Sequence, residues 1–150
     1  MTWLERRARA AQACFDRFNG RPLNWGVDDC VRLAAFQLEG VGTKTPVSRF
    51  GTWSSEAGAL RALRRRGYQS LEGVLDEFLL PIAPAMALTG DIVGLQSEGG
   101  GWCALTVALG NGRVLGFRAP AEGQVPVCGA LAINWPEASR ARPVLAWRSC

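Results

Sequence analysis

Residues 103–117 read CALTVALGNGRVLGF, and this stretch decides the fold. Two apolar runs, Cys103–Leu109 and Arg113–Phe117, flank Gly110, Asn111 and Gly112. Those three residues supply the positive φ angles that a tight hairpin requires. Asp91–Leu95 precedes the hairpin, and Val125–Val127, Ala130–Asn134 and Val144–Arg148 follow it as short β-rich runs. The second half therefore predicts an antiparallel sheet.

Before Pro84 the spacing is helical. Thr2 and Glu5 form a capping-box pattern, and Leu4, Ala8, Ala11, Phe15 and Phe18 recur three and four residues apart until Asn19, Gly20 and Pro22 stop the helix. A second helix starts at Asp28 or Asp29, either of which can accept the first free backbone N–H groups, and runs to Gly40 with Cys30 in its first turn. Residues 41–53 read as a loop anchored by Phe50 and Trp53. A third helix opens at Ser54 or Ser55 and closes at Gly67 after Arg64, Arg65 and Arg66, whose charges complement the helix dipole. The fourth begins near Ser70 and places Leu71, Val74, Leu75, Phe78 and Leu79 on one stripe before Pro81 ends it. Helices first and strands afterwards predict one α+β domain over residues 1–150, with N-terminal helices packed on a C-terminal antiparallel sheet.

Composition narrows the function classes. With 150 residues, 48% of them apolar and 20% charged, the chain can bury a core and should fold as one unit. The first residues lack a signal-peptide apolar run, and no stretch approaches the ~20 apolar residues of a membrane-spanning helix. The five cysteines, at 14, 30, 103, 128 and 150, contain no C-x-x-C, so neither a zinc knuckle nor an obvious disulfide framework is encoded, and a metal site would need the cysteines to converge in space; no metal or cofactor is expected. Reduced thiols in a cytosolic compartment follow. A net charge of +4 does not demand nucleic acid, which would need Arg6, Arg9, Arg64, Arg65 and Arg66 to converge on one surface.

The segment Trp25, Gly26, Val27, Asp28, Asp29, Cys30, Val31 resembles the nucleophile motif of the NlpC/P60 family, papain-like cell-wall peptidases in which an Asp-Cys pair opens a helix. Gly90, Asp91, Ile92 and Val93 resemble that family's Gly-Asp-apolar entry into the sheet, and the glycine hairpin follows in the expected order. The resemblance spans roughly residues 22–118. More narrowly, the chain is similar to small phage and prophage proteins of this type encoded among tail genes. That resemblance implies an NlpC/P60-like scaffold and a place in the tail tip or its assembly. Other tail proteins would then be its partners, and it would pass from the host cytoplasm during assembly to the virion tail.

The departure from the family concerns the base. Its peptidases carry a histidine at the start of the strand before the hairpin, and this chain has no histidine at all. Aligning on the hairpin puts Ala104 at that place, with Cys103 and Leu105 beside it. A free thiol with a pKa of about 8.5 is only a few per cent thiolate at neutral pH. The helix N-terminus favours the thiolate while Asp28 and Asp29 oppose it. A missing general acid forfeits a factor of about 100 to 10,000 in rate. Cys30 is then either a relic nucleophile packed as a small apolar residue, or a nucleophile served by an unusual base such as an Asp or Tyr68. Asp29 is sufficiently explained as an N-cap, and Asp91 as a turn residue bonding local backbone.

The resulting expectation is a pseudoenzyme that works by docking, with a Cys30 hydrolase of cell-wall peptides as the alternative. An exposed Trp beside an Arg would mark the interface. Trp102, Trp147 and the glycine-rich loop Gln96–Trp102, which contains Gly100, are its candidates.

Overall fold

The computed structural model describes residues 1–96, 103–133 and 144–149. Four α-helices come first: α1 (Trp3–Phe18), α2 (Cys30–Gly40), α3 (Glu56–Arg65) and α4 (Leu71–Phe78). Each starts where a side chain accepts an otherwise free N–H of the first turn. Thr2 and Glu5 form a reciprocal capping box on α1, Asp29 caps α2, Ser55 caps α3 and Ser70 caps α4. The connection from α2 to α3 contains a single 3-10 turn, Val47–Phe50.

The sheet has six strands: β1 (Leu80–Ile82), β2 (Ile92–Gln96), β3 (Cys103–Gly110), β4 (Arg113–Arg118), β5 (Val127–Ala132) and β6 (Val144–Arg148). Their order is β1-β6-β2-β3-β4-β5, and every pairing is antiparallel. The molecule is thus α+β, as the spacing predicts. Two details differ. Pro81 does not merely follow α4 but lies inside β1, where an edge position leaves no ladder hydrogen bond for its missing N–H to make. Val127–Ala132 is one strand through Gly129 rather than the ends of two, because its pairing with β4 continues unbroken across Gly116↔Gly129. Asn134 lies outside the described residues.

Alternation along the strands gives the sheet two faces. Ile92, Cys103, Leu105, Val107, Leu115 and Trp147 face the helices, where they meet Cys14 and Phe18 of α1, Leu33 and Leu38 of α2, Leu63 of α3 and Leu71 and Leu75 of α4. Each fully buried Leu or Phe of this kind contributes about 1.5–3 kcal/mol. Val93, Ala108, Val114 and Ala146 form a smaller cluster on the other face, with Ile82, Leu95 and Leu131 around it. Because α2 packs directly on β3, the first turn of α2 is brought against the beginning of that strand.

Candidate functional site

The segment before α2 is held by one carboxylate. Asp29 is 0% exposed. Its Oδ1 accepts the Arg32 N–H at 2.8 Å, while Oδ2 accepts the Gly26 N–H at 2.7 Å and the Trp53 indole N–H at 2.8 Å. Arg32 donates to the Gly26 carbonyl at 3.0 Å and lies over the Trp53 ring, 4.5 Å from its centroid. Gly26 has φ +86, and a Cβ there would stand 1.9 Å from the Trp53 carbonyl oxygen, so no other residue fits without moving the backbone. Asp28 is tied separately, to Arg17 at 2.9 Å. Asp29 therefore does more than cap a helix. It locks the segment 26–32 to Trp53, a long-range partner that a local motif cannot reveal.

Cys30 occupies the first turn of α2, half-buried, as expected. Burial pushes its thiol up to about 11. The Leu105 N–H and the N–H groups of its own turn pull the other way, and the Asp29 charge adds to the rise. The balance between helix N-terminus and carboxylates considered from sequence is thus outweighed by desolvation, which local sequence does not disclose. At neutral pH the group is a thiol.

The strand facing Cys30 is β3, but Ala104 is not the residue that faces it. Ala104 pairs with Leu95 and shares the far side of the sheet with Ala108, whereas Cys103 and Leu105 point toward the helices. The β3–β4 ladder is irregular between Ala108 and Gly110. The position opposite the cysteine belongs to Leu105 and Cys103.

Cys103 has a partner that sequence reasoning missed. Its backbone N–H donates to Glu72 Oε1 at 3.0 Å, and its thiol also bonds that carboxylate. Burial raises the Cys103 pKa most, then the Glu72 hydrogen bond and charge, with a smaller contribution from nearby Cys30. Burial alone would raise the Glu72 carboxyl, but the Cys103 thiol and amide hold it below its ordinary value. The pair stabilises a carboxylate and a protonated thiol. It does not generate a nucleophile. Tyr68, the other candidate base, packs against Phe50 and donates to Glu77, which raises its pKa.

Asp91 bonds local backbone as expected, accepting the Leu88 N–H at 2.7 Å, but it also binds two arginines. Arg7, itself buried, donates to Oδ1, and Arg148 Nη2 lies 2.9 Å from Oδ2. The expected interface at Trp147 is corrected. Its side chain is 1% exposed, packed in the core, with the indole N–H donated to Asp76 at 2.8 Å. Gly94 makes this possible, since a Cβ there would come within 3.0 Å of the Trp147 ring. Gly100 and Trp102 lie outside the described residues. An exposed Trp beside Arg does occur, at the opposite end of the chain. Trp3 is 43% exposed, with the Arg7 guanidinium 4.6 Å and the Arg148 guanidinium 5.9 Å from its ring.

The described cysteines 14, 30, 103 and 128 are free thiols, and no three metal-ligating side chains among the described residues are grouped to hold an ion. No helix among them is long and apolar enough to cross a membrane.

Fold and site together define a small α+β domain with a helix-borne, protonated cysteine half-buried against an antiparallel sheet. The chain belongs to the family described as Domain of unknown function (DUF6950), which matches residues 3–135. No curated protein matches it.

Proposed function

We propose that this protein is a non-enzymatic structural or assembly component of a phage tail, at the tail tip, built on a degenerate NlpC/P60-like scaffold. The observation that carries the reading is the surroundings of Cys30. A thiol at the N-terminus of a helix faces a sheet, as in the peptidase motif it resembles, but it meets the Leu105 backbone and a second protonated thiol where a base is needed. The chain holds no histidine to replace it. No imidazole stands opposite Cys30 to take its proton or to protonate a leaving amine.

Docking then falls to the surface. Trp3 and the partly exposed Arg148, whose guanidinium lies 5.9 Å from its ring, with Met1, Leu4 and Met86 also exposed, combine residue types found at protein interfaces. Genetic complementation of a deletion tests this. Deleting the gene should leave tails absent or incomplete, and Cys30→Ala should restore them as well as the native gene does. Trp3→Ala should fold but restore assembly poorly. Fully formed tails from the deletion, or peptidoglycan cleavage that a folded Cys30→Ala variant loses, would overturn the proposal.

A further inference from the structure

The excess charge of the chain is concentrated in one place. Residues 49–66 hold five arginines, at 49, 61, 64, 65 and 66, against one acid, Glu56, a net +4 that equals the charge of the whole chain. All five arginines are exposed. Arg61, Arg64 and Arg65 stand three and four residues apart on α3, within reach of one another. Arg66 Nε donates to the Arg49 carbonyl at 2.8 Å, which sets the 3-10 turn Val47–Phe50 against the end of α3 and adds Arg49 to the group. The ion pairs of the described residues engage Arg7, Arg17 and Arg148, and none reaches these five. Glu56 lies in the opposite, first turn of α3, and Glu77 is engaged by the Tyr68 hydroxyl. The helix dipole accounts for Arg64 and Arg65 in the last turn of α3, but not for Arg61 a turn earlier or for Arg49 on a different element.

Arg6 and Arg9 do not join this group. Toward α1, helix α2 turns Gly40, which lies beside Ala10, and Phe36, which meets Phe18 edge-on. Toward α3 it turns Val31, Ala35 and Leu38, which share an apolar cleft with Ala59 and Ala62. The helices α1 and α3 thus flank α2 on opposite sides, and each carries its own basic surface. The chemistry of the α3 surface selects its occupant. A protein partner or a membrane interface needs large apolar side chains exposed among the charges. Among the described residues, none of the exposed large apolar side chains comes from α3 or from Val47–Phe50. A dense polyanion fits instead: duplex DNA carries one phosphate charge per about 1.7 Å of its axis, and the guanidinium fork matches phosphate oxygens.

We infer that the surface formed by Arg49, Arg61, Arg64 and Arg65 binds the phosphate backbone of duplex DNA, without regard to base sequence. The probe is a fluorescein-labelled duplex of about 20 base pairs, its anisotropy titrated with the full-length protein at several salt concentrations. With about four phosphates contacted, affinity should fall about a hundredfold between about 50 and 200 mM salt. Arg61→Gln combined with Arg65→Gln should take about 2 off the log–log salt slope and weaken binding more than about tenfold at about 100 mM salt. Arg6→Gln combined with Arg9→Gln makes the same change in net charge on the other flank of α2 and should leave the slope unchanged. Both double variants alter exposed side chains and should melt like the native protein. Poly-L-glutamate and anionic phospholipid vesicles, matched for charge, should compete poorly. Competition by either as strong as that of unlabelled duplex would make an acidic protein or a membrane the partner and overturn the inference. No binding at the lowest salt, or equal losses from the two double variants, would overturn it as well.

Discussion

The Trp53 indole N–H donates to Asp29 Oδ2 at 2.8 Å, joining the loop before α3 to the cap of α2 across 24 residues of chain. The same carboxylate holds the part-buried Gly26 and Arg32 N–H groups. Asp29 is therefore a structural clasp between these segments.

Asp29→Ala should destabilise the protein by about 2–3 kcal/mol, since one buried and two part-buried donors lose their acceptor at once. Asp29→Asn keeps one oxygen and should cost less, about 1–2 kcal/mol. Urea unfolding at pH 7.5 measures both. Equal costs for the two variants would show that the carboxylate's second oxygen contributes nothing.

Gly26→Ala should be more damaging than Gly42→Ala, although both glycines have positive φ. At Gly42 (φ +89) nothing lies within 4 Å of a new Cβ, so only the left-handed backbone is penalised, by about 1 kcal/mol. At Gly26 the new atom also collides with the Trp53 carbonyl. The expected cost is at least about 2 kcal/mol more than at Gly42. Similar midpoints for the two variants would contradict the packing described around Asp29.

What the sequence disclosed was local. The capping box at Thr2, the cap at Ser70 and the glycine hairpin depend on residues within a few positions of one another and were legible, and the caps of α2 and α3 were legible to within one residue, Asp28 or Asp29 and Ser54 or Ser55. Interactions between distant segments were not. Nothing near Trp147 announces that Gly94 clears space for its ring or that Asp76 accepts its N–H, so a Trp close to the C-terminus looked available for a partner. Ala104 failed for a related reason, because which strand residues face the helices is set by the packing of α2 on β3, a contact between distant segments. Glu72 could have been suspected only as an acidic residue in the first turn of α4, a position that the helix dipole already explains.

Asp91→Ala should cost about 3–5 kcal/mol, because it strands Arg7, which is buried, without its carboxylate. Arg148→Met should cost only about 1–2 kcal/mol, since Arg7 remains to pair the aspartate and Arg148 itself is partly exposed. The difference between the variants should persist in 1 M NaCl, as buried pairs are poorly screened. If salt or the order of the two costs behaves otherwise, Arg7 and Asp91 are not the buried pair described.

The free thiols predict an alkaline weakness with a definite sign. Burial raises Cys30 and Cys128 from the ordinary 9.0 to about 11 and Cys14 to about 12, and Cys103 is raised as well. These are acids whose neutral form the fold prefers. Below pH 9 the thiols are protonated in both states, and their contribution is fully present. Between pH 9 and 11 the unfolded chain releases protons that the native state retains, so stability falls as pH rises and is lost through the folded pKa values. Each thiol that ionises only on unfolding adds a slope of about 1.4 kcal/mol per pH unit as an upper limit. With no histidine, one lysine and one tyrosine in the chain, few other groups titrate in this window. Urea midpoints from pH 8 to 10.5 should therefore be level to pH 8.5 and then drop steeply, and Cys30→Ala should flatten the drop by up to one thiol's share. A stability that stays constant to pH 10.5 would mean that the thiols ionise in the folded protein as easily as in the unfolded chain. Cys30 would then be an accessible nucleophile, and the case against catalysis would lose its electrostatic half.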